Sequence, residues 1–510
     1  TAMTFTTPYG ATEIYKYQPA PGTTIQLSTS PANTSYGDAT DLMTAIAYGS
    51  LDPIAIVVHD TGLPNSLWDL TTGTAWATCP SVLAPYFQRN LGTPFTTGTG
   101  QQMADCVEVT SNRAIVIKND WLPTTFIGSP GFTGARGAVG IMHLGAQPPG
   151  WPITDTFTPA TLQSPLPVEL VHDLAVTPRG TKTVVSGTQL IAVYRNQNGT
   201  RQELLQGSWL PVPAFHSPPL CRMTSDSVEA TDTRAVVIGN YAGHVPHPPA
   251  TIAQGLPFAA NDADLFRVAV VDIASPALYP NPFVPGSMQL WHAVINAVDV
   301  GATAPARACD LAITPNGSRA IVATRAGTMV LDLTVPVTQT PLSPVPVWYP
   351  TAPDPLEFDP SVVPAYFMVS DSVACTDSVA VVIGQSRSAS VGLRIGQIWV
   401  LDLSLGTATT LSLGTYCAPS DVAITPDGSR AIVRSFNYGP AIPSTDIGRI
   451  TVVDLIAKSI QLDVVHTGST GAFTSLGAAF GRDHIETSNH FAVTGGDSTS
   501  ILGWIQIIKL

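Results

Sequence analysis

Residues 310–322 read DLAITPNGSRAIV, and residues 421–433 read DVAITPDGSRAIV. The same phrase returns at 173–185 as DLAVTPRGTKTVV, and in a shorter form at 105–117 (DCVEVTSNRAIVI), 226–238 (DSVEATDTRAVVI) and 371–383 (DSVACTDSVAVVI). Worn copies begin at Asp41 (DLMTAIAYGSLDPIAIVVHD) and Asp483 (DHIETSNHFAVTGG). Seven steps carry the pattern from position 41 to position 483, about 63 residues each, a period that marks a repeat architecture. The units also alternate. Those at Asp173, Asp310 and Asp421 carry a TPxG turn, and those at Asp105, Asp226, Asp371 and Asp483 a shorter TSN or TD turn. Alternation around a closed ring requires an even number of units.

Each unit reads as strands. Two runs rich in Val, Ile and Thr flank a Pro-Asp-Gly or Pro-Asn-Gly turn, which predicts an antiparallel pair. A third run follows, as in TMVLDL (328–333), IWVLDL (398–403) and ITVVDL (450–455), and a fourth is clearest as SIQLDVV (459–465). Four strands per unit in radial repetition predict an all-β chain, an eight-bladed β-propeller of four-stranded antiparallel blades; seven blades is the alternative. Residues 41–510 form one propeller domain in this reading, preceded by an N-terminal segment, 1–40. The last unit is short of an outer strand after GWIQIIKL (503–510). TEIYKYQ (12–18) or TTIQLST (23–29) is expected to supply it and close the ring, with TTIQLST preferred for its shorter spacing to the first unit.

The run AITPDGSRAIV followed by VVDL resembles the YVTN-type propeller repeats of secreted and surface-layer proteins, and similar units recur over nearly the whole chain. The resemblance implies fold more than function, because such propellers serve as binding modules, structural surface proteins and a few enzymes. The Gly-His and Trp-Asp signature of WD40 repeats is absent.

Charged residues make up 12% of the 510 residues, against about 25% in ordinary globular domains. A net charge of −13 argues against nucleic acid, which needs clustered Lys and Arg. No apolar run in the sequence reaches the ~18 residues of a membrane span. The chain starts at Thr1 without a basic segment and apolar core, and so reads as a mature exported chain, secreted or at the cell surface, with the periplasm an alternative. The six cysteines are placed at or near the connections into inner strands. If units neighbour one another in order, the pairs are Cys79–Cys106, Cys221–Cys309 and Cys375–Cys417; the alternative is buried free thiols.

Insertions identify a working face. The first-strand aspartate precedes the third-strand aspartate by 22 residues in one unit (310 to 332) but by 46 in another (226 to 272). The surplus lies between strands two and three, on the same face as the long connections between units. The turn between strands one and two stays tight. Aromatic and polar residues gather in those loops: Trp121 and Phe132, Tyr241 with His244 and His247, Tyr349, and Tyr438. They suit sugar stacking or peptide docking, or else fold the loops onto the scaffold. Arg222 and Arg307 precede inner-strand aspartates and either crown the channel mouth or pair with those aspartates.

The aspartates at 41, 105, 173, 226, 310, 371, 421 and 483 are read as structural, each capping N–H groups of its own interblade turn. No catalytic triad motif, phosphate loop, calcium loop or zinc spacing occurs, so no metal and no cofactor are expected. The functional expectation is an exported, non-catalytic propeller that binds a protein or glycan through its elaborated face, or assembles at a surface. The alternative is a lactonase-like or polysaccharide-lyase-like enzyme with its site at the channel mouth.

Overall fold

The computed structural model describes the backbone of strand segments between residues 2 and 509, and side chains chiefly within 173–186, 228–238, 310–335, 373–385, 395–435 and 449–463. The chain is all-β. Among the described residues, eight sheets of four or five strands follow one another along the chain, with one further two-stranded hairpin. Within a unit the strands pair mostly in sequence order, as in Cys417–Ile424, Arg430–Asn437, Ile447–Asp454 and Ser459–Val465 of the Asp421 unit, all antiparallel. The first strands touch in chain order, and that of the Asp483 unit touches that of the Asp41 unit.

The apolar runs have both faces buried, which explains why they read as RAIV rather than as alternation. In Arg319–Thr324, Ala320 and Val322 pack with Val236 and Ile238 of the preceding sheet, whereas Ile321 and Ala323 pack with Ala380 and Val382 of the following one. The next strand repeats the division: Val381 and Ile383 join Ala431 and Val433, and Ile432 then joins Ile485 and Ala492. The core is therefore a series of seams, each shared by two sheets.

The two turn types differ by two residues. Thr314 N–H donates to Arg319 O at 3.0 Å across Pro-Asn-Gly-Ser, whereas Thr231 N–H donates to Arg234 O at 2.7 Å across only Asp-Thr. The threonine hydroxyl accepts the first N–H of strand two in both, Arg319 N at 3.0 Å and Arg234 N at 2.9 Å. In the longer turn the glycine takes the left-handed conformation, φ 65° to 69° at Gly180, Gly317 and Gly428, which only glycine enters without steric cost.

A second difference separates the unit types. A register shift falls just before Asp41, Asp173, Asp310 and Asp421, making Thr40, His172, Cys309 and Ser420 the extra residues of β-bulges. In the other units the described strand that carries the repeat is three residues long: Val107–Val109, Val228–Ala230, Val373–Cys375 and Ile485–Thr487. Bulged and short units alternate without a break, and the worn Asp41 unit joins the bulged class.

At the other end of the chain, Gly503–Lys509 pairs with Phe491–Asp497 on one side and, in parallel, with Gly10–Tyr17 on the other. Tyr15, Lys16 and Tyr17 lie opposite Gln506, Ile507 and Ile508. The strand beside the last unit is thus the TEIYKYQ segment rather than the preferred TTIQLST, which lies outside the described residues. Ala2–Thr7 adds outside it as a hairpin.

Candidate functional site

Of the eight repeated aspartates, the three with described side chains, Asp173, Asp310 and Asp421, each accept an N–H of the following unit and so staple one unit to the next. Asp310 is 0% exposed; its Oδ1 accepts Leu311 N–H at 2.8 Å and its Oδ2 accepts Val373 N–H of the following unit at 2.6 Å. Asp173 does the same with Leu174 (2.8 Å) and Val228 (2.7 Å), and Asp421 accepts Ile485 N–H at 2.7 Å. The bulge sits immediately before each of these carboxylates, and a bulge re-aims the side chain that follows it. Each staple runs from a bulged unit into the next short one. A carboxylate engaged by two buried N–H groups is a poor general base or metal ligand. Among the described residues no group of three or more His, Cys, Asp and Glu is arranged to hold a metal.

Among the described residues, the strand one–two turns of neighbouring units are linked to one another. Arg179 of one TPxG turn meets Asp232 of the next unit through its N–H (3.2 Å) and its guanidinium (3.2 Å). Asn316 N–H donates to Asp377 at 2.8 Å. On the opposite flank a Cβ at Gly317 would stand 2.9 Å from Thr231 Cγ2, and one at Gly428 3.1 Å from Thr376 Cγ2. Cations at the start of strand two reach the strand three–four corner of the next unit: Lys182 donates to Ile273 O, and Arg234 to Leu333 O and, at 3.1 Å, to Val335 O. The third-strand aspartates cap those corners. Asp402 Oδ1 accepts Ser404 Oγ–H, Leu405 N–H and Ser404 N–H, and its Oδ2 accepts Lys458 Nζ–H at 3.1 Å. The Ser404 hydroxyl first, and the other donors with it, hold the Asp402 carboxyl well below the usual carboxylate range. Thr334 does the same for Asp332, and Thr425 and Ser429 for Asp427.

Toward the opposite face, the seam between the Asp371 and Asp421 units carries a polar cluster in which Gln385 and Arg449 are buried and Asp463 is partly exposed. Gln385 Nε2–H donates to Cys417 O at 2.8 Å. Arg449 pairs with Asp463, its Nε–H donating to Oδ1 at 2.6 Å, and also donates to Leu413 O of the preceding sheet. Thr451 Oγ1–H completes the carboxylate's shell at 3.0 Å. Arg449 is the buried partner and Asp463 the more exposed one, so the pair is half-buried, and its hydrogen bonds to Leu413 O and from Thr451 fill much of its remaining capacity.

The sequence-derived candidates separate. Arg222 and Tyr241 are brought to one place by register: Cys221 lies opposite Tyr241 and Arg222 opposite Asn240. Trp121 ends the strand Arg113–Trp121. Phe132, His244, His247, Tyr438 and Arg307 lie outside the described residues, as do Asp105, Asp226, Asp371 and Asp483. Tyr349 is withdrawn from the ligand face: it ends the outer strand Val347–Tyr349, is 4% exposed and packs in the core with Val373 and Trp399. Burial pushes its hydroxyl up in pKa, and that hydroxyl reaches Asp402 O at 3.4 Å.

The Cys375–Cys417 bond is likewise not made, and both thiols are free. Cys375 ends its strand beside the Thr376–Gly428 turn contact. Cys417 opens Cys417–Ile424 at the far end, about 23 Å away along the strand at 3.3 Å per residue. Burial raises both thiol pKa values, and for Cys375 the carboxylates of Glu229, Asp377 and Asp310 add to it. Neither thiol is a nucleophile at neutral pH. The bonds proposed for Cys79, Cys106, Cys221 and Cys309 fall outside the described side chains.

One recurring group escaped the sequence reading. Glu108, Glu229 and Glu486 occupy the middle of the short strands, half-buried, in three of the four short units. Its signal in the sequence is a glutamate three residues after Asp105, Asp226 and Asp483.

No family model matches this chain, and no curated protein matches its sequence. Solved structures do. A candidate 6-phosphogluconolactonase of Bacteroides fragilis matches at 10% identity and TM-score 0.42 over 85% of this chain and 97% of its own. The β-propeller domain of Swd1 from Myceliophteria thermophila matches at 9% and 0.42 over 96% and 99%. The WD40 domain of SCAP from fission yeast matches at 9% and 0.41 over 91% and 96%. The similarity concerns the β-propeller class of fold and extends to no activity or partner. Among the described residues no helix is long and apolar enough to cross a membrane.

Proposed function

We propose that the eight sheets are eight blades about one axis, closed by Gly10–Tyr17 beside Gly503–Lys509, in a YVTN-type repeat protein. On this reading the molecule is an exported, non-catalytic propeller whose loop face takes a protein or glycan ligand. The observation that carries it is the inequality of the two faces. The turn face uses its polar groups on itself, and the repeated carboxylates at Asp173, Asp310 and Asp421 are engaged inside the seams. The strand ends that the insertions extend, with Arg222 and Tyr241 among them, are the ends away from those turns, and loops on a rigid scaffold supply binding residues. The low charge content and the repeat type support export; the free Cys375 and Cys417 add nothing to it.

The test is a glycan array and a surface-protein binding screen with the full chain, followed by Trp121→Ala, Tyr241→Ala and His244→Ala/His247→Ala. Binding lost in these variants and kept in Arg179→Ala, on the turn face, supports the reading. Hydrolysis of a lactone or cleavage of a polyuronate, abolished by Arg222→Ala or Arg307→Ala, would replace it with the enzyme.

A further inference from the structure

The three long turns share one frame, but the residue after the proline differs: Arg179, Asn316 and Asp427. Asn316 opens the triplet Asn-Gly-Ser at 316–318, the form of an N-glycan acceptor, which belongs on exposed turns of exported proteins. Two further triplets of this form, at Asn33 and Asn198, lie outside the described residues. Shaping the turn does not account for an asparagine here. Asn316 Oδ1 accepts Thr314 Oγ1–H and Ser318 N–H, both at 2.9 Å. Asp427 Oδ1 accepts the equivalent Thr425 Oγ1–H at 2.6 Å and Ser429 N–H at 3.0 Å. One acceptor oxygen is all that this turn takes from the side chain, and a carboxylate supplies it equally well. The amide nitrogen, Nδ2, is what Asn316 adds.

We propose that Asn316 is the acceptor for an N-linked oligosaccharide, a proposal that rests on the reading of the chain as exported. The position has room for one. Asn316 is exposed, and it is the backbone N–H, not the side chain, that Asp377 of the following unit engages. The close contact with the preceding unit is made at Gly317. At the same place in the Asp173 unit the long side chain of Arg179 stands 80% exposed. In the transfer, Nδ2 attacks the anomeric carbon of an oligosaccharide carried on a lipid-linked phosphate or pyrophosphate. The N–C bond forms as the C–O bond to phosphorus-bound oxygen breaks, the lipid phosphate leaves, and an Nδ2 proton passes to a base of the transferase. Oδ1 gains no bond and keeps Thr314 and Ser318. A glycan here would cover the turn face above the seam between the Asp310 and Asp371 units and leave the loop face open to its ligand.

Translation of the full chain behind a signal segment, in the presence of endoplasmic-reticulum microsomes, imports it whatever its natural destination and so tests the site by itself. Peptide mapping should recover the Asn316 peptide with an oligosaccharide that N-glycanase removes. Asn316→Gln and Ser318→Ala should each lose that one glycan, whereas Ser318→Thr, which introduces the residue found at Thr181 in the sister turn, should keep it. Asn316→Asp reproduces the Asp427 turn; it should lose the glycan and still give the wild-type circular dichroism, separating loss of the acceptor from loss of the fold. An Asn316 peptide recovered bare from protease-protected chain overturns the proposal, as does a glycan count that Asn316→Gln leaves unchanged. Fractionation of the cells of origin tests the premise separately. Chain recovered outside the cytoplasm with Asn316 bare overturns the site alone, and chain confined to the cytoplasm overturns the export reading and the proposal with it.

Discussion

Asp310 takes a carboxylate out of water and holds it with backbone N–H groups from two units, Leu311 and Val373. Asp310→Ala would leave both donors buried and unpartnered, at a cost on the order of 2–5 kcal/mol; Asp310→Asn keeps one acceptor and should lose less. Urea midpoints of the two variants check the order. Gly317→Ala combines a left-handed φ of 69° with a Cβ 2.9 Å from Thr231, and about 1–3 kcal/mol of destabilisation is expected. The structural role of Asp310 was legible in the sequence, because one carboxylate recurs at one place in every unit. Its partner was not, since Val373 lies 63 residues on and nothing local marks the bulge that aims the side chain across the seam. Tyr349 was misread for a related reason: an outer strand of three residues, closed by Pro350, looks like part of the loop that contains it. Cys375 and Cys417 share a neighbouring pair of units but not an end of the strand, a distinction that chain spacing does not carry.

At the scale of the strand pair, the corner aspartates Asp332 and Asp402 and the turn aspartate Asp427 should make the turn face acid-sensitive. The lowered pKa values of Asp332, Asp402 and Asp427 mean that their contribution is fully present above the ordinary carboxylate range, about pH 4. It is lost as pH falls through the lower folded-state values. Melting temperature should therefore fall on acidification below about pH 4, and Asp332→Asn/Asp402→Asn should flatten that slope. An unchanged slope would place the acid sensitivity elsewhere. Hydrogen exchange reads the staples directly: the amides of Val228, Val373 and Ile485 should be among the slowest, and Asp310→Ala should release Val373 while leaving the other two protected.

For the whole molecule, the weight of the fold rests on how its two ends meet. Deleting residues 1–17 uncovers the edge of Gly503–Lys509, and the truncated chain should melt well below the intact one or aggregate through that edge. A truncation that melts like the full chain would count against the proposed closure by Gly10–Tyr17. The repeated phrase and its strand-like runs already pointed to an all-β repeat fold, which the four-stranded antiparallel sheets share. Which N-terminal segment lies beside Gly503–Lys509 was not readable, because TEIYKYQ and TTIQLST alternate equally well and only the pairing of Gly10–Tyr17 decides it.

The alternation of bulged and short units has a consequence for how such a chain can change its length. The staple at Asp173 needs a short unit after it, and the same holds at Asp310 and Asp421. Loss or duplication of one unit would set two of a kind side by side, and a buried carboxylate would face a strand not built to receive it. Excision of two consecutive units, such as the span from Asp173 to the residue before Asp310, joins a short unit to a bulged one and leaves every remaining seam as it was. On the proposed ring, change by couplets would therefore keep every staple of this kind, and a unit count would move in twos.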